Sequence, residues 1–213
     1  MRILLYPWYT HNNKNLSKYI NLYKNIYGND TVIHTVKYKK IDGVSFNRWK
    51  KIRSGYLYNE YLYDNYNCIH MISGGSLIAY NQLNYFKNIK SDKIIFDSGP
   101  FFPSPYESAR FMCNYIPFLN KNNISNLEKI LNPIYKLEGY KDEEEINYFK
   151  WLYSMNNNLL IYNPEDKLLN IDKINEFSKN TNSTVVQFNS PHAFLLKEKE
   201  LYVETIKSYI EKN

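Results

Sequence analysis

Short, uninterrupted apolar runs alternate along this chain with longer stretches of helical spacing. Ile3-Leu4-Leu5-Tyr6 is apolar at every position, as in a strand covered on both faces, and Pro7 ends it. From Lys14 to Tyr27, Leu16, Tyr19, Ile20, Tyr23 and Tyr27 recur at helical intervals, and Gly28 closes the helix that this predicts. Thr31 to Val36 reads as the second strand. Arg48 to Tyr63 carries Trp49, Ile52, Tyr56 and Tyr63 on one side and reads as a second helix. Cys68 to Ile72 is the third strand. It runs into Ser73-Gly74-Gly75 and then into a helical pattern up to about Phe86. Ile94-Ile95-Phe96 is the fourth strand, ending in Asp97-Ser98-Gly99-Pro100.

The alternation then stops. Phe101 to Met155 has no strand signal and holds Pro103, Pro105, Pro117 and Pro133, so it reads as a helical insertion. Its run Asp142-Glu143-Glu144-Glu145 opens a helix, because carboxylates favour a helix N-terminus. Alternation resumes with Leu159 to Tyr162 as the fifth strand, a helix over Asn170 to Lys179 and Thr184 to Phe188 as the sixth strand. A last helix over Glu198 to Ile210 turns Leu201, Thr205, Ile206, Tyr209 and Ile210 inward. Strands alternating with helices predict a single α/β domain over 1–213: a six-stranded, mostly parallel sheet with helices on both faces and a helical cap inserted at about 101–155.

Composition changes this picture little. At 213 residues and 44% hydrophobic content the chain suits one domain with a sizeable core. Tyr, Asn, Lys and Ile share A/T-rich codons, so the 22 tyrosines carry no functional weight as a number. The net charge of +6 comes from lysines scattered singly, which fits a solvated surface and weak contact with anionic membranes better than a nucleic-acid site. Cys68 reads as a small core residue, and the absence of a CxxC pair argues against a metal site or a disulfide scaffold. The opening residues are too short for a signal peptide and no apolar run nears the roughly 20 residues of a membrane span, so a cytoplasmic location is expected. The oligomeric state has no signature in the sequence.

Sites in parallel sheets form beyond the C-terminal strand ends. Past the first strand stand Trp8 and Tyr9, past the third Ser73, past the fourth Asp97, past the fifth Asp166 and past the sixth His192. A serine, an acid and a histidine thus fall on one edge, in the chain order of α/β-hydrolases. The chemistry needs these types. A serine hydroxyl requires a base to take its proton, histidine titrates near neutrality, and a carboxylate fixes the imidazole tautomer. Backbone N–H groups bind the oxyanion; Gly74 supplies one, and Trp8 or Tyr9 the other, since Pro7 has none. Ordinary readings stand beside these: Ser73 as an N-cap, Asp166 as a turn residue, Asp97 in a turn with Ser98-Gly99-Pro100, His192 as a surface residue. Asp97 is also a rival for the acid. No metal or organic cofactor is required.

Several segments resemble the transmembrane protein 53 family: Leu4-Leu5-Tyr6-Pro7-Trp8-Tyr9 with Lys18-Tyr19 and Leu22-Tyr23, His70-Met71-Ile72-Ser73-Gly74-Gly75, Phe96-Asp97-Ser98-Gly99-Pro100, Pro164-Glu165-Asp166, and Ser190-Pro191-His192 with Tyr202. The resemblance spans most of the chain except the insertion. It implies an α/β-hydrolase-like fold with Ser73, Asp166 and His192 as a triad. Two functions are expected from these readings. One is a serine hydrolase acting on a small carboxylic ester or thioester, including lipid or acyl esters, with Phe101, Phe102 and Tyr106 of the insertion lining an acyl pocket; the same aromatics also serve as core filling under the cap. The other is an inactive member of the fold that binds a protein partner or a lipid surface, favoured by Met71, since active elbows usually place a small residue there.

Overall fold

The structure, a computed structural model, describes residues 1–7, 13–38, 57–58, 65–85, 89–100, 102–189 and 198–212. Six strands pair into one sheet: β1 (Arg2–Tyr6), β2 (Val32–Thr35), β6 (Cys68–Ile72), β8 (Ile94–Asp97), β9 (Leu159–Tyr162) and β10 (Thr184–Gln187). Their order is β10-β9-β8-β6-β1-β2 and every pairing is parallel. Ile3 to Tyr6 of β1 and all of β6 and β9 are buried, and apolar apart from His70, because both their faces are covered. Among the described residues, two two-residue ladders add to the pattern that the sequence predicts. β3 (Lys37–Tyr38) pairs antiparallel with β4 (Leu57–Tyr58), and β5 (Asn65–Tyr66) pairs parallel with β7 (Lys90–Ser91). Leu57 and Tyr58 therefore lie in a strand, where the spacing over Arg48 to Tyr63 predicts helix; strand pairing overrides a helical pattern already weakened by Gly55. The rest of that stretch lies outside the described residues.

Helices cover both faces. On one, α1 (Asn13–Tyr27) and a C-terminal helix over Lys199–Glu211 bury Leu16, Tyr19, Tyr23, Tyr202 and Ile206 against Ile3, Leu5, Cys68, Ile72 and Ile161. On the other, α2 (Gly75–Tyr85), a helix over Asp142–Tyr153 and one over Ile171–Thr181 bury Leu77, Tyr148, Leu152, Ile174 and Phe177 against Leu4, Tyr6, Ile69, Met71 and Phe96. Odd and even positions of β1 divide cleanly between the two layers, as the alternation of side chains along a strand requires. Gly28, at φ +88°, ends α1, and its N–H bonds to the Lys24 carbonyl at 2.9 Å. Cys68 is a buried core residue, and burial pushes its thiol up to about 12.

Between β8 and β9 come three α-helices: α3 (Pro105–Tyr115), α4 (Ile124–Leu137) and α5 (Asp142–Tyr153), with a short 3-10 turn over Lys121–Asn123. They fall into two parts. α3 and α4 pack on each other, tied by Ser108 Oγ and Tyr135 Oη at 2.6 Å. α5 instead sits on the sheet, with Tyr148 and Leu152 fully buried. Pro103 and Pro117 flank α3, whereas Pro133 lies inside α4. Pro105 occupies the first turn of α3 behind the N-cap Ser104, whose hydroxyl accepts from Glu107 N–H at 3.2 Å. The four acidic residues from Asp142 to Glu145 form the first turn of α5.

α6 (Ile171–Thr181) begins at Asn170, whose side chain caps Lys173 N–H. α7 (Lys199–Glu211) turns Tyr202 and Ile206 inward, while Leu201 is half exposed. Ile206, Tyr209 and Ile210 pack on the core as expected, but Tyr202 takes the place expected of Leu201, because its hydroxyl has a buried acceptor to reach. Among the described residues no helix is long and apolar enough to cross a membrane.

Phe177 of α6 is fully buried and meets Phe96 of β8 edge-on, with ring centroids 5.2 Å apart. Phe177→Ala is expected to cost about 3–5 kcal/mol of unfolding free energy in urea titration.

Candidate active site

The sheet order reverses between β1 and β6: one half of the chain adds β2 outward from β1, the other adds β8, β9 and β10 outward from β6. Crevices at such a reversal open at the carboxyl ends of the strands, and Ser73 follows β6 at that point. Ser73 has φ +51°, in the left-handed region that a side chain enters at a cost of roughly 1–3 kcal/mol. Its N–H donates to the Asp97 carbonyl at 2.7 Å, which joins the turn to the end of β8. Its carbonyl accepts from Ser76 Oγ at 3.2 Å, and Ser76 Oγ in turn accepts from the buried Tyr148 hydroxyl at 2.7 Å. The strained residue is thus held from both sides, and Gly74 N–H lies at the entrance to α2, where backbone donors and the helix dipole favour negative charge.

The sharpness of the turn has a local cause. A Cβ on Gly75 would stand 2.2 Å from the Tyr6 carbonyl oxygen, so α2 and β1 approach as closely as their backbones allow. A Cβ on Gly74 would meet nothing within 4 Å. Met71, two residues before Ser73, is buried on the α2 side of the sheet with Tyr6, Leu77 and Phe96. Its bulk is absorbed by that core layer.

Asp166 follows β9 on the same edge. It is buried, its Oδ1 accepts from Leu168 N–H at 2.9 Å, and its own N–H donates to the Asn163 carbonyl at 3.0 Å. Tyr115 of α3 stands near it: burial, and after it the Asp166 carboxylate, raise the Tyr115 hydroxyl above its ordinary value. Tyr115 stacks on Phe111 with centroids 4.6 Å apart, and both are part exposed.

The structure brings Ser73, Gly74 and Asp166 to one edge of the sheet. His192, Trp8, Tyr9 and Phe101 lie outside the described residues. Phe102 is buried against Tyr148, centroids 5.1 Å apart, which is the core-filling role. Tyr106 is 40% exposed on α3. A polar pocket of about 390 Å³ lined by Arg2, Asn65, Asn67, Lys90 and Asp92 lies at the opposite, N-terminal ends of the strands. Among the described residues no group of His, Cys, Asp and Glu is placed to hold a metal ion.

Asp97 points the other way, into the layer under α1 and α7, and is fully buried. Its Oδ2 accepts from Tyr202 Oη at 2.5 Å and Tyr19 Oη at 3.1 Å, and its Oδ1 from Ser98 Oγ at 2.9 Å. His70 Nε2 is 3.8 Å from Oδ2, and His70 Nδ1 pairs with Tyr23 Oη at 2.8 Å. Burial pushes the Asp97 carboxyl up, but His70 and the hydroxyls of Tyr202 and Ser98 outweigh it and hold the group below the ordinary carboxylate value. Burial raises the hydroxyls of Tyr19, Tyr23 and Tyr202 well above theirs, so they remain neutral donors. Residue spacing alone did not reveal this cluster, although strand alternation puts His70 and Asp97 on one face.

Gly75→Ala is expected to lose about 1–3 kcal/mol of stability in urea titration, against a change within about 0.5 kcal/mol for Gly74→Ala. Asp97 has a folded pKa below its unfolded value near 3.9, so its stabilisation is complete above that value and is lost as pH falls through the folded one. Unfolding free energy should therefore decline as pH is lowered from about 5. Asp97→Asn should be less stable at neutral pH by about 2 kcal/mol or more and decline less steeply in acid.

No protein-family model and no curated protein matches the sequence. Solved structures do match the fold. The esterase Pf2001 of Pyrococcus furiosus aligns with a TM-score of 0.61 at 19% identity, over 99% of this chain and 80% of that one. ClbQ from the colibactin NRPS/PKS pathway aligns with a TM-score of 0.55 at 14% identity, over 99% and 96%. The thioesterase domain from the curacin biosynthetic pathway aligns with a TM-score of 0.54 at 10% identity, over 96% and 90%. The chain has the α/β-hydrolase fold: a six-stranded parallel sheet with helices on both faces and a helical insertion before β9.

Proposed function

We propose that this protein is a serine hydrolase that cleaves a carboxylic ester or thioester of a small acyl or lipid substrate. The observation that carries the reading is the backbone of Ser73: a non-glycine residue in the left-handed region, at the corner between β6 and α2, at the reversal point of the sheet. Strain of this kind persists only where surrounding structure enforces it, and it clusters at functional sites. Here Gly75 and the Tyr6 carbonyl enforce it.

In this reading Ser73 Oγ attacks the acyl carbon while His192 takes its proton. The negative charge that develops on the carbonyl oxygen is bound by Gly74 N–H and by an N–H of Trp8 or Tyr9. Collapse of the tetrahedral intermediate expels the alcohol or thiol, which receives the proton from His192. Water, activated by the same histidine, then releases the acid and restores Ser73. Asp166 orients the imidazole and stabilises its charged form. The stacked pair Phe111 and Tyr115, with Tyr115 near Asp166, suits the apolar part of an acyl substrate. The esterase and thioesterase among the solved structures of this fold agree with the choice of bond, and the resemblance to the transmembrane protein 53 family agrees with the choice of residues.

A fluorophosphonate probe modifies a serine only when a base and an oxyanion site activate it. Labelling of the wild type is expected, and both Ser73→Ala and His192→Ala should abolish it while leaving the melting temperature within a few degrees. Hydrolysis of p-nitrophenyl butyrate should fall in parallel, by on the order of 1,000-fold or more. A folded wild-type protein that neither labels nor turns over would instead favour the inactive, partner-binding reading.

A further inference from the structure

The loop that carries Asp166 is gripped by the helical insertion. Arg110 of α3 donates from Nη1 to the Lys167 carbonyl at 3.1 Å and from Nη2 to the Leu168 carbonyl at 2.7 Å. Asn114, one turn further on, adds Nδ2 to the Lys167 carbonyl at 3.0 Å. The guanidinium is itself oriented. Its Nε donates at 2.7 Å to Glu107 Oε2, and the Glu107 side chain is only 3% exposed. Glu107 Oε1 accepts from Asn170 Nδ2 at 2.6 Å and lies 3.5 Å from Lys173 Nζ, and Lys173 also pairs with Glu145 of α5.

One peptide unit links this cluster to the acid. The carbonyl of Lys167 accepts from Arg110 and Asn114, while the N–H of the same unit, that of Leu168, donates to Asp166 Oδ1. A planar guanidinium on two successive carbonyls fixes both the position and the tilt of that unit, which an ammonium on a flexible stem does not. Fixing the unit fixes the Asp166 oxygen it bonds to.

We propose that Arg110, oriented by Glu107, is a positioning residue that sets the Asp166 carboxylate through the Lys167–Leu168 peptide, so that the α3–α4 insertion takes part in forming the active site. The proposal rests on Asp166 being the acid of the reading above. A carboxylate misplaced by about an ångström holds the histidine poorly, and such errors cost on the order of 10- to 100-fold in rate.

The test is a double-mutant cycle on p-nitrophenyl butyrate hydrolysis with wild type, Arg110→Ala, Asp166→Asn and the double variant. Arg110→Ala should lower kcat about 10-fold or more with KM within about twofold, and Arg110→Lys should restore only part of the loss. In the Asp166→Asn background the same substitution should change kcat less than about twofold, because its target is already gone. Equal losses in both backgrounds, or an unchanged kcat in Arg110→Ala, would overturn the proposal and leave Asp166 as the acid. Full turnover in Asp166→Asn would overturn the acid assignment and the proposal with it. Should Arg110→Ala fail to fold, Asn114→Ala runs the same cycle, with a smaller loss in wild type and none in the Asp166→Asn background.

Discussion

Two backbones meeting with no side chain between them govern the geometry at the centre of this molecule. The Tyr6 carbonyl at the end of β1 occupies the space that any Cβ at position 75 would need. α2 can start there only because Gly75 has none, and it starts so close to the sheet that the chain leaves β6 through a left-handed residue. That residue is a serine, and its position follows from the contact rather than from its own preference. Tyr148, through Ser76, and the Asp97 carbonyl hold the turn against the strain. The parallel sheet supplies the reversal point, and the missing Cβ supplies the corner at which Ser73 stands.

Behind the corner the protein carries a charge in its core. Asp97 is fully buried, and an isolated carboxylate there would be expensive. Hydroxyls from α1 and α7, with Ser98 beside it, surround the oxygens, and His70 stands beside it on the neighbouring strand β6. These bonds join elements far apart in the chain around the end of β8, the same strand end whose carbonyl receives Ser73 N–H. The network lies on the opposite side of the sheet from α2, so it steadies the site from behind.

The six strands were legible because apolar runs covered on both faces leave little ambiguity: Cys68 to Ile72 and Leu159 to Tyr162 have the bounds their patterns predict. The strand-end logic also located Ser73 and Asp166, since sheet topology dictates which edge they reach. Three features were not legible. Leu201 and Tyr202 exchange roles because a buried hydrogen bond decides the face of α7, and periodicity sees only hydrophobicity. Leu57–Tyr58 form a strand because a distant partner, Lys37–Tyr38, supplies their hydrogen bonds. The tyrosines around Asp97 are hidden by a composition rich in tyrosine everywhere; only contacts across the fold separate the ones that balance a buried charge from the ones that merely pack.

The hairpin of α3 and α4 looks, in topology, like a module dropped between two strands, open to exchange for another. Its wiring says otherwise. Glu107, Arg110 and Asn114 reach back to the loop after β9 and to the start of α6, in a part of the chain more than fifty residues on. Replacing the hairpin to change what the protein accepts would remove half of a joint whose other half stays behind. A recombinant that kept every strand intact would still inherit the Asp166 loop without its grip, so in this chain the insertion and the loop after β9 are exchanged together or not at all.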